Sequence, residues 1–213
     1  LALGTGSVTP MQMAQAYAVI ANGGWLLPPL LIERITDAQG KVLFEAPKPA
    51  ALAEETRAIP ARNAYLTASL LGGVTKSGTA ARAQQQLKRG DLYGKTGTTN
   101  DAVDAWFAGF QPSLVAVAWM GHGEPKSLGE RETGAALALP IWIEFMSMAL
   151  KGVPVATLAP PAGLMRSGDD WLYDEWAVQG HVQHIGAAGS VQRAQPFAPP
   201  PPPPVPLAAT VGQ

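Results

Sequence analysis

The residue pattern of this 213-residue chain predicts an α/β (α+β) fold, an antiparallel sheet with flanking helices. Three observations carry the prediction. Met13, Ala14, Tyr17, Ala18 and Ala21 recur at helical spacing, and so do Leu66, Leu70, Leu71 and Val74, which gives two amphipathic helices before the middle of the chain. Leu114-Val115-Ala116-Val117-Ala118-Trp119-Met120-Gly121 is an apolar run of strand length and reads as a buried strand. The aromatic and small residues between Lys95 and Phe110 supply two further strands as its antiparallel partners.

Taken in order, Thr9 and Gln12 form a capping box with Pro10 at the first helical position, and Gly23-Gly24 ends that helix. Asp37-Ala38-Gln39-Gly40 is a turn between Ile32-Glu33-Arg34-Ile35 and Lys41-Val42-Leu43-Phe44, a hairpin. Residues 47–60 read as loop. The second helix covers about Ala61 to Thr75, a polar connection leads to the Lys95 strand and its two partners, and a last helix starts near Pro140. After Gly152 the pattern loses definition, and eight of the 20 prolines crowd between Pro196 and Pro206, a composition that favours polyproline II over a packed core.

Composition narrows the function classes. The formal net charge is -1 and there is no basic run of five, so neither nucleic acid nor an anionic membrane surface is implied as a partner. With no cysteine, disulfides, thiolate metal sites and cysteine nucleophiles are excluded. The most apolar stretch, residues 134–150, is interrupted by Pro140 and Glu144 and is too short for a spanning helix. Of the three histidines, His122, His181 and His184, the last two stand three apart and no third ligand is evident, so no metal is assigned, and no cofactor fingerprint is present.

The chemistry gathers at Gly94-Lys95-Thr96-Gly97-Thr98-Thr99-Asn100-Asp101, followed by Asp104-Ala105-Trp106-Phe107-Ala108-Gly109-Phe110. On a strand Lys95 and Gly97 share one side and Thr96 and Thr98 the other, so one short element offers a cation, two hydroxyls and backbone donors suited to an anionic peptide end. Gly97, without a Cβ, leaves room for a helix to pass close beneath. Two rivals fail. Gly90-Asp91-Leu92-Tyr93-Gly94-Lys95-Thr96 is one residue short of a phosphate loop and follows no apolar strand. Lys76-Ser77-Gly78-Thr79 repeats the pattern, but Lys76 ends the second helix, where a cation suits the dipole, and no strand follows it.

The K-T-G tripeptide and its extended flanks resemble the class A, bifunctional, high-molecular-mass penicillin-binding proteins of Gram-negative bacteria, as do Leu3-Gly4-Thr5-Gly6-Ser7-Val8-Thr9-Pro10, Ala16-Tyr17-Ala18-Val19-Ile20-Ala21-Asn22-Gly23-Gly24 and Pro140-Ile141-Trp142-Ile143-Glu144-Phe145-Met146. The resemblance covers residues 1–153 and implies the C-terminal portion of a β-lactamase/transpeptidase-like fold. It also implies serine-type D-Ala-D-Ala transpeptidation on peptidoglycan stem peptides, with β-lactams as mimics and a parent that carries a glycosyltransferase domain, uses a lipid-linked precursor and is anchored at the periplasmic face of the inner membrane. Under it Lys95 and Thr98 are catalytic, Thr96, Gly97 and Thr98 bind substrate, and Thr98 lends a backbone N–H to the oxyanion hole.

The family's S-x-x-K nucleophile is not found: Ser69, Ser127 and Ser147 have Gly72, Glu130 and Leu150 three residues on. The S-x-N motif is missing too, so the chain reads as a C-terminal fragment, inactive alone, with an incomplete sheet. A non-catalytic extracytoplasmic interaction module of the same fold is the alternative. Trp106 and Trp119 are expected to fill the sheet–helix core, and Asp101 and Asp104 to make turn hydrogen bonds. Residues 154–195 form an extension in which Asp169 to Trp176 is either a docking strip or an arm laid on the domain, and 196–213 form a proline-rich tail expected to be a disordered, solvated extension, with docking to an aromatic groove of a protein partner as the alternative.

Overall fold

The computed structural model describes residues 6–47, 52 and 57–178. Helix α1 (Pro10–Ala21) starts with the expected capping box, since Thr9 Oγ1 accepts from Gln12 N–H and Gln12 Oε1 from Thr9 N–H. Strands β1 (Arg34–Thr36) and β2 (Val42–Glu45) form the hairpin, with the Asp37 carboxylate accepting from the N–H groups of Gln39 and Lys41 in the turn. Helix α2 (Ala61–Ser77) follows, then α3 (Ala81–Leu87). The stretch expected to be only a polar connection therefore holds a helix.

Strands β3 (Tyr93–Thr98), β4 (Asp104–Gln111) and β5 (Leu114–Gly121) form an antiparallel meander in that order, with Lys95 opposite Ala108 and Trp106 opposite Trp119. A π-type turn at Gly134–Ala138 leads directly into α4 (Leu139–Ala149), as the pattern at Pro140 predicts. Two layers cover the sheet. On one face Phe110, Tyr93 and Val115 pack against Ala68 and Leu71 of α2 and Tyr17, Ile20 and Ala21 of α1. Burial there pushes the Tyr17 phenol up to about 12. On the other face Phe107, Leu92 and Ala118 meet Ala83 of α3 and Trp142, Ile143 and Met146 of α4.

Trp142 is the tryptophan of this core, 1% exposed, its ring 4.9 Å from Phe107 and its indole N–H donating to Ala116 O. Trp106 and Trp119 are not core residues, contrary to the sequence-based expectation. They pack on each other at 6.0 Å outside both buried clusters, Trp106 half-buried and Trp119 41% exposed. The outer edge of β5 has no strand partner among the described residues, and an apolar groove of about 430 Å³ runs along it between Val115, Val117, Trp119, Ile141 and Phe145.

A buried ion pair secures the chain beyond α4. Asp91, fully buried, takes two hydrogen bonds from Arg89 (3.0 and 2.8 Å) and one each from Gln111 Nε2 and Ala156 N–H, while Arg89 also donates to Val153 O and Pro154 O. Burial pushes the Asp91 carboxyl up, but these donors outweigh it and the group titrates below its ordinary value. The segment from Asp169 to Trp176, open between two readings, is an arm on the domain. Strands β6 (Leu164–Ser167) and β7 (Asp170–Tyr173) with α5 (Asp174–Val178) sit on the start of α2, where Arg62 binds Glu175 (2.8 Å) and stacks over Tyr173 (4.5 Å), and Trp171 packs edge-on to Tyr65. His181, His184 and the proline-rich tail lie outside the described residues.

Among the described residues no helix is long and apolar enough to cross a membrane.

Candidate functional site

Strand β3 is an edge strand of the meander, and the orientation of its backbone follows from one hydrogen bond. Thr99 N–H donates to Asp104 O at 3.1 Å. In an antiparallel ladder bonded and non-bonded pairs alternate, so at the preceding pair, Thr98 with Ala105, both backbone groups of Thr98 point away from β4 to the open edge. The same holds for Thr96, whose carbonyl accepts from Lys95 Nζ at 2.8 Å. Lys95 thus carries its ammonium round to the edge, 3.5 Å from Thr96 Oγ1.

Thr96 and Thr98 stand on the opposite face from Lys95, as the alternation predicts, and each hydroxyl has a neighbour. Gly134 N–H donates to Thr98 Oγ1 at 3.0 Å, and Thr79 Oγ1 lies 2.8 Å from Thr96 Oγ1. An N–H can only donate, so the Thr98 hydroxyl accepts there and its own proton is left to point outward. That is the polarity a carboxylate requires.

The expected role of Gly97 needs correction. A Cβ at Gly97 would lie 3.3 Å from the Trp106 Cβ on the neighbouring strand, not against a helix. The close approach occurs above it, where Gly134 opens the π-type turn; there a Cβ would overlap the carbonyl oxygens of both Trp106 and Gly97 and sit 3.1 Å from Gly97 N. Gly134 is the residue whose missing side chain lets the turn reach the strand.

Beyond Thr98 the chain turns sharply through Asn100–Ala102, with φ of 59° at Asp101 and 50° at Ala102. Ser127 O–H donates to Asp101 O and Leu128 N–H to Ala102 O, which pins this strained turn against the loop after β5. The turn is held by Asp104 N–H donating to Thr99 Oγ1, while the Asp104 carboxylate accepts from the Trp119 indole N–H on β5, a cross-strand bond where a turn bond was expected. A polar cleft of about 380 Å³ opens beside Thr98 between Asp101, Ala102, Ser127, Glu130 and Thr133. Lys76 occupies the last turn of α2, exposed. Sequence reasoning missed Thr79 and Gly134, whose partners are 17 and 36 residues away.

Residues 1–139 match the family described as Transpeptidase, the penicillin binding protein transpeptidase domain. The chain belongs to this family. It is 40% identical to Penicillin-binding protein 1A of Pseudomonas aeruginosa, over 78% of this chain and 25% of that protein, and 39% identical to Penicillin-binding protein 1A of Neisseria lactamica, over 84% and 22%. The fold is similar to that of Penicillin-Binding Protein 1A from Haemophilus influenzae, with a TM-score of 0.70 at 35% identity over 77% of this chain and 29% of that one. It is also similar to PonA1 from Mycobacterium tuberculosis solved with penicillin V, at a TM-score of 0.53 and 27% identity over 71% and 40%. This transpeptidase-family chain spans about a quarter of the length of the curated relatives it matches.

Proposed function

We propose that this chain is the C-terminal part of the transpeptidase domain of a bifunctional penicillin-binding protein that cross-links peptidoglycan, with residues 1–153 contributing the substrate-binding strand. One observation supports this most: β3 brings the Lys95 ammonium and the outward Thr98 N–H to an edge with no strand partner among the described residues, with the Thr96 and Thr98 hydroxyls on the face beside it. An extended stem peptide can lie along such an edge as an added strand. Its terminal carboxylate then takes the O–H groups of Thr96 and Thr98.

No serine of residues 1–213 is followed by lysine three residues on, so the nucleophile comes from sequence outside this chain. Its Oγ attacks the D-Ala-D-Ala carbonyl, the C–N bond breaks and D-Ala leaves. The acyl group then passes to an amine of a neighbouring stem. The Thr98 N–H stabilises the oxyanion and Lys95 supplies positive potential beside the activated hydroxyl. β-Lactams enter as donor mimics that keep the carboxylate. In this reading the parent also carries a glycosyltransferase domain acting on the lipid-linked precursor and is anchored at the periplasmic face of the inner membrane, and residues 196–213 are a tail that acylation does not need.

The test compares Lys95→Ala with Lys76→Ala in the full-length parent, by the rate of acylation with a fluorescent penicillin. Loss of a preorganised charge beside developing negative charge costs about 2–4 kcal/mol, so Lys95→Ala should slow acylation by roughly a hundredfold or more. Lys76→Ala should stay within a few-fold of the parent. Loss in the Lys76 variant with retention in the Lys95 variant would overturn the placement of the site.

A further inference from the structure

Of the two threonine hydroxyls on β3, only that of Thr98 has its direction imposed by a backbone donor. Thr96 Oγ1 faces another hydroxyl, Thr79 Oγ1 at 2.8 Å, and either atom can be the donor. Thr79 belongs to the Lys76-Ser77-Gly78-Thr79 look-alike, whose lysine is exposed in the last turn of α2 but whose last residue reaches the site. Its backbone is held firmly. Gly78 N–H and Ala80 N–H both donate to Val74 O, Ala80 is fully buried, and Thr75 ties the same end of α2 to the approach to β3 by donating to Leu92 O (2.5 Å). Thr79 is thus a fixed neighbour of Thr96.

A hydroxyl has one proton and two lone pairs, so Thr96 can donate to an anion only while its neighbours donate to it or leave its oxygen alone. Lys95 Nζ, 3.5 Å from Thr96 Oγ1, can only donate. We propose that Thr79 is a positioning residue for anion recognition: its hydroxyl donates to Thr96 Oγ1 and thereby turns the Thr96 O–H outward to the substrate carboxylate. Thr79 then does for Thr96 what Gly134 N–H does for Thr98, and both protons meet the same anion. The inference rests on the proposal that Thr96 and Thr98 hold that carboxylate, and it extends the binding apparatus to the end of α2.

The experiment uses the full-length parent with Thr79→Val, which keeps the shape and removes the hydroxyl, and Thr79→Ser, which restores it. Each is acylated by a penicillin with a free carboxylate and by its methyl ester, and the acid-to-ester ratio of second-order acylation rates is the readout. The parent should prefer the acid. Thr79→Val should lose roughly tenfold of that preference, the scale of one hydrogen bond to a charged group, with the loss in the binding constant and not in the saturating acylation rate. Thr79→Ser should keep the preference within about twofold, and Thr79→Val should add nothing in a Thr96→Val background. A Thr79→Val protein with the parent's ratio would overturn the inference, and so would equal loss on acid and ester, which is what a merely structural role produces. If the parent itself fails to prefer the acid, the carboxylate reading of Thr96 and Thr98 falls first and this inference with it.

Discussion

Gly134→Ala should disable the site without replacing any residue that meets substrate. The added methyl would overlap the carbonyl oxygens of Trp106 and Gly97, which belong to paired strands and cannot swing aside as a side chain end could. The π-type turn must lift, and the 3.0 Å bond from Gly134 N–H to Thr98 Oγ1 is lost with it. Overpacking of this kind costs about 1–3 kcal/mol, and the broken hydrogen bond about one more. For function the larger effect is displacement, since an ångström of misplacement at a reacting centre can cost about a hundredfold in rate. Acylation of the full-length parent by a fluorescent penicillin should therefore fall about a hundredfold. Gly73→Ala is the control, because a Cβ there meets nothing within 4 Å on an exposed turn of α2 and should stabilise by up to about 1 kcal/mol with unchanged acylation. Parent-like acylation by the Gly134 variant would refute the contact between turn and strand.

Three further outcomes are expected. Asp91→Asn leaves Arg89 with an uncompensated buried charge and should cost about 3 kcal/mol or more in a denaturant melt. Because the folded-state carboxyl titrates below its ordinary value, the stability it confers is complete above about pH 4 and is lost as pH falls through the folded value, so Asp91→Asn should flatten that acid limb; an identical limb in the variant would count against the pair. Arg62→Ala removes a cation–π contact with Tyr173 worth about 0.5–1 kcal/mol, along with the Glu175 pair, and should speed amide exchange several-fold across β6 and β7 while leaving β4 unchanged. Residues 1–213 expressed alone should form no denaturation-resistant adduct with a fluorescent penicillin, and stoichiometric labelling would show that a nucleophile lies within this chain.

Much of the scaffold was legible because its residues carry strong local codes. The capping box of α1, the Asp37 turn and the apolar run of β5 each specify structure from neighbours alone. Helix α3 carries no such code. It is seven residues long with Ala83 as its buried residue, and it forms because small side chains let it settle on α4 and the sheet. The tryptophans were misplaced for a related reason: alternation says which residues share a face, but not which of them the covering elements bury, and Trp106 and Trp119 fall outside both buried clusters. At the site the motif pointed to Lys95, Thr96 and Thr98, whereas the residues that aim the threonine hydroxyls are contributed from other elements and carried no local mark.

The strand order also bears on how the chain assembles. The β3–β4–β5 meander joins residues that are near one another along the chain, with only residues 112 and 113 between its last two strands. The bond from Arg62 to Glu175 spans 113 residues. Pairings of low contact order form quickly because little chain entropy is spent in closing them, and a long closure is made later and can reopen by itself without dissolving what it caps. The segment that bears Lys95, Thr96 and Thr98 is therefore built into the part of the sheet that assembles first and lets go last.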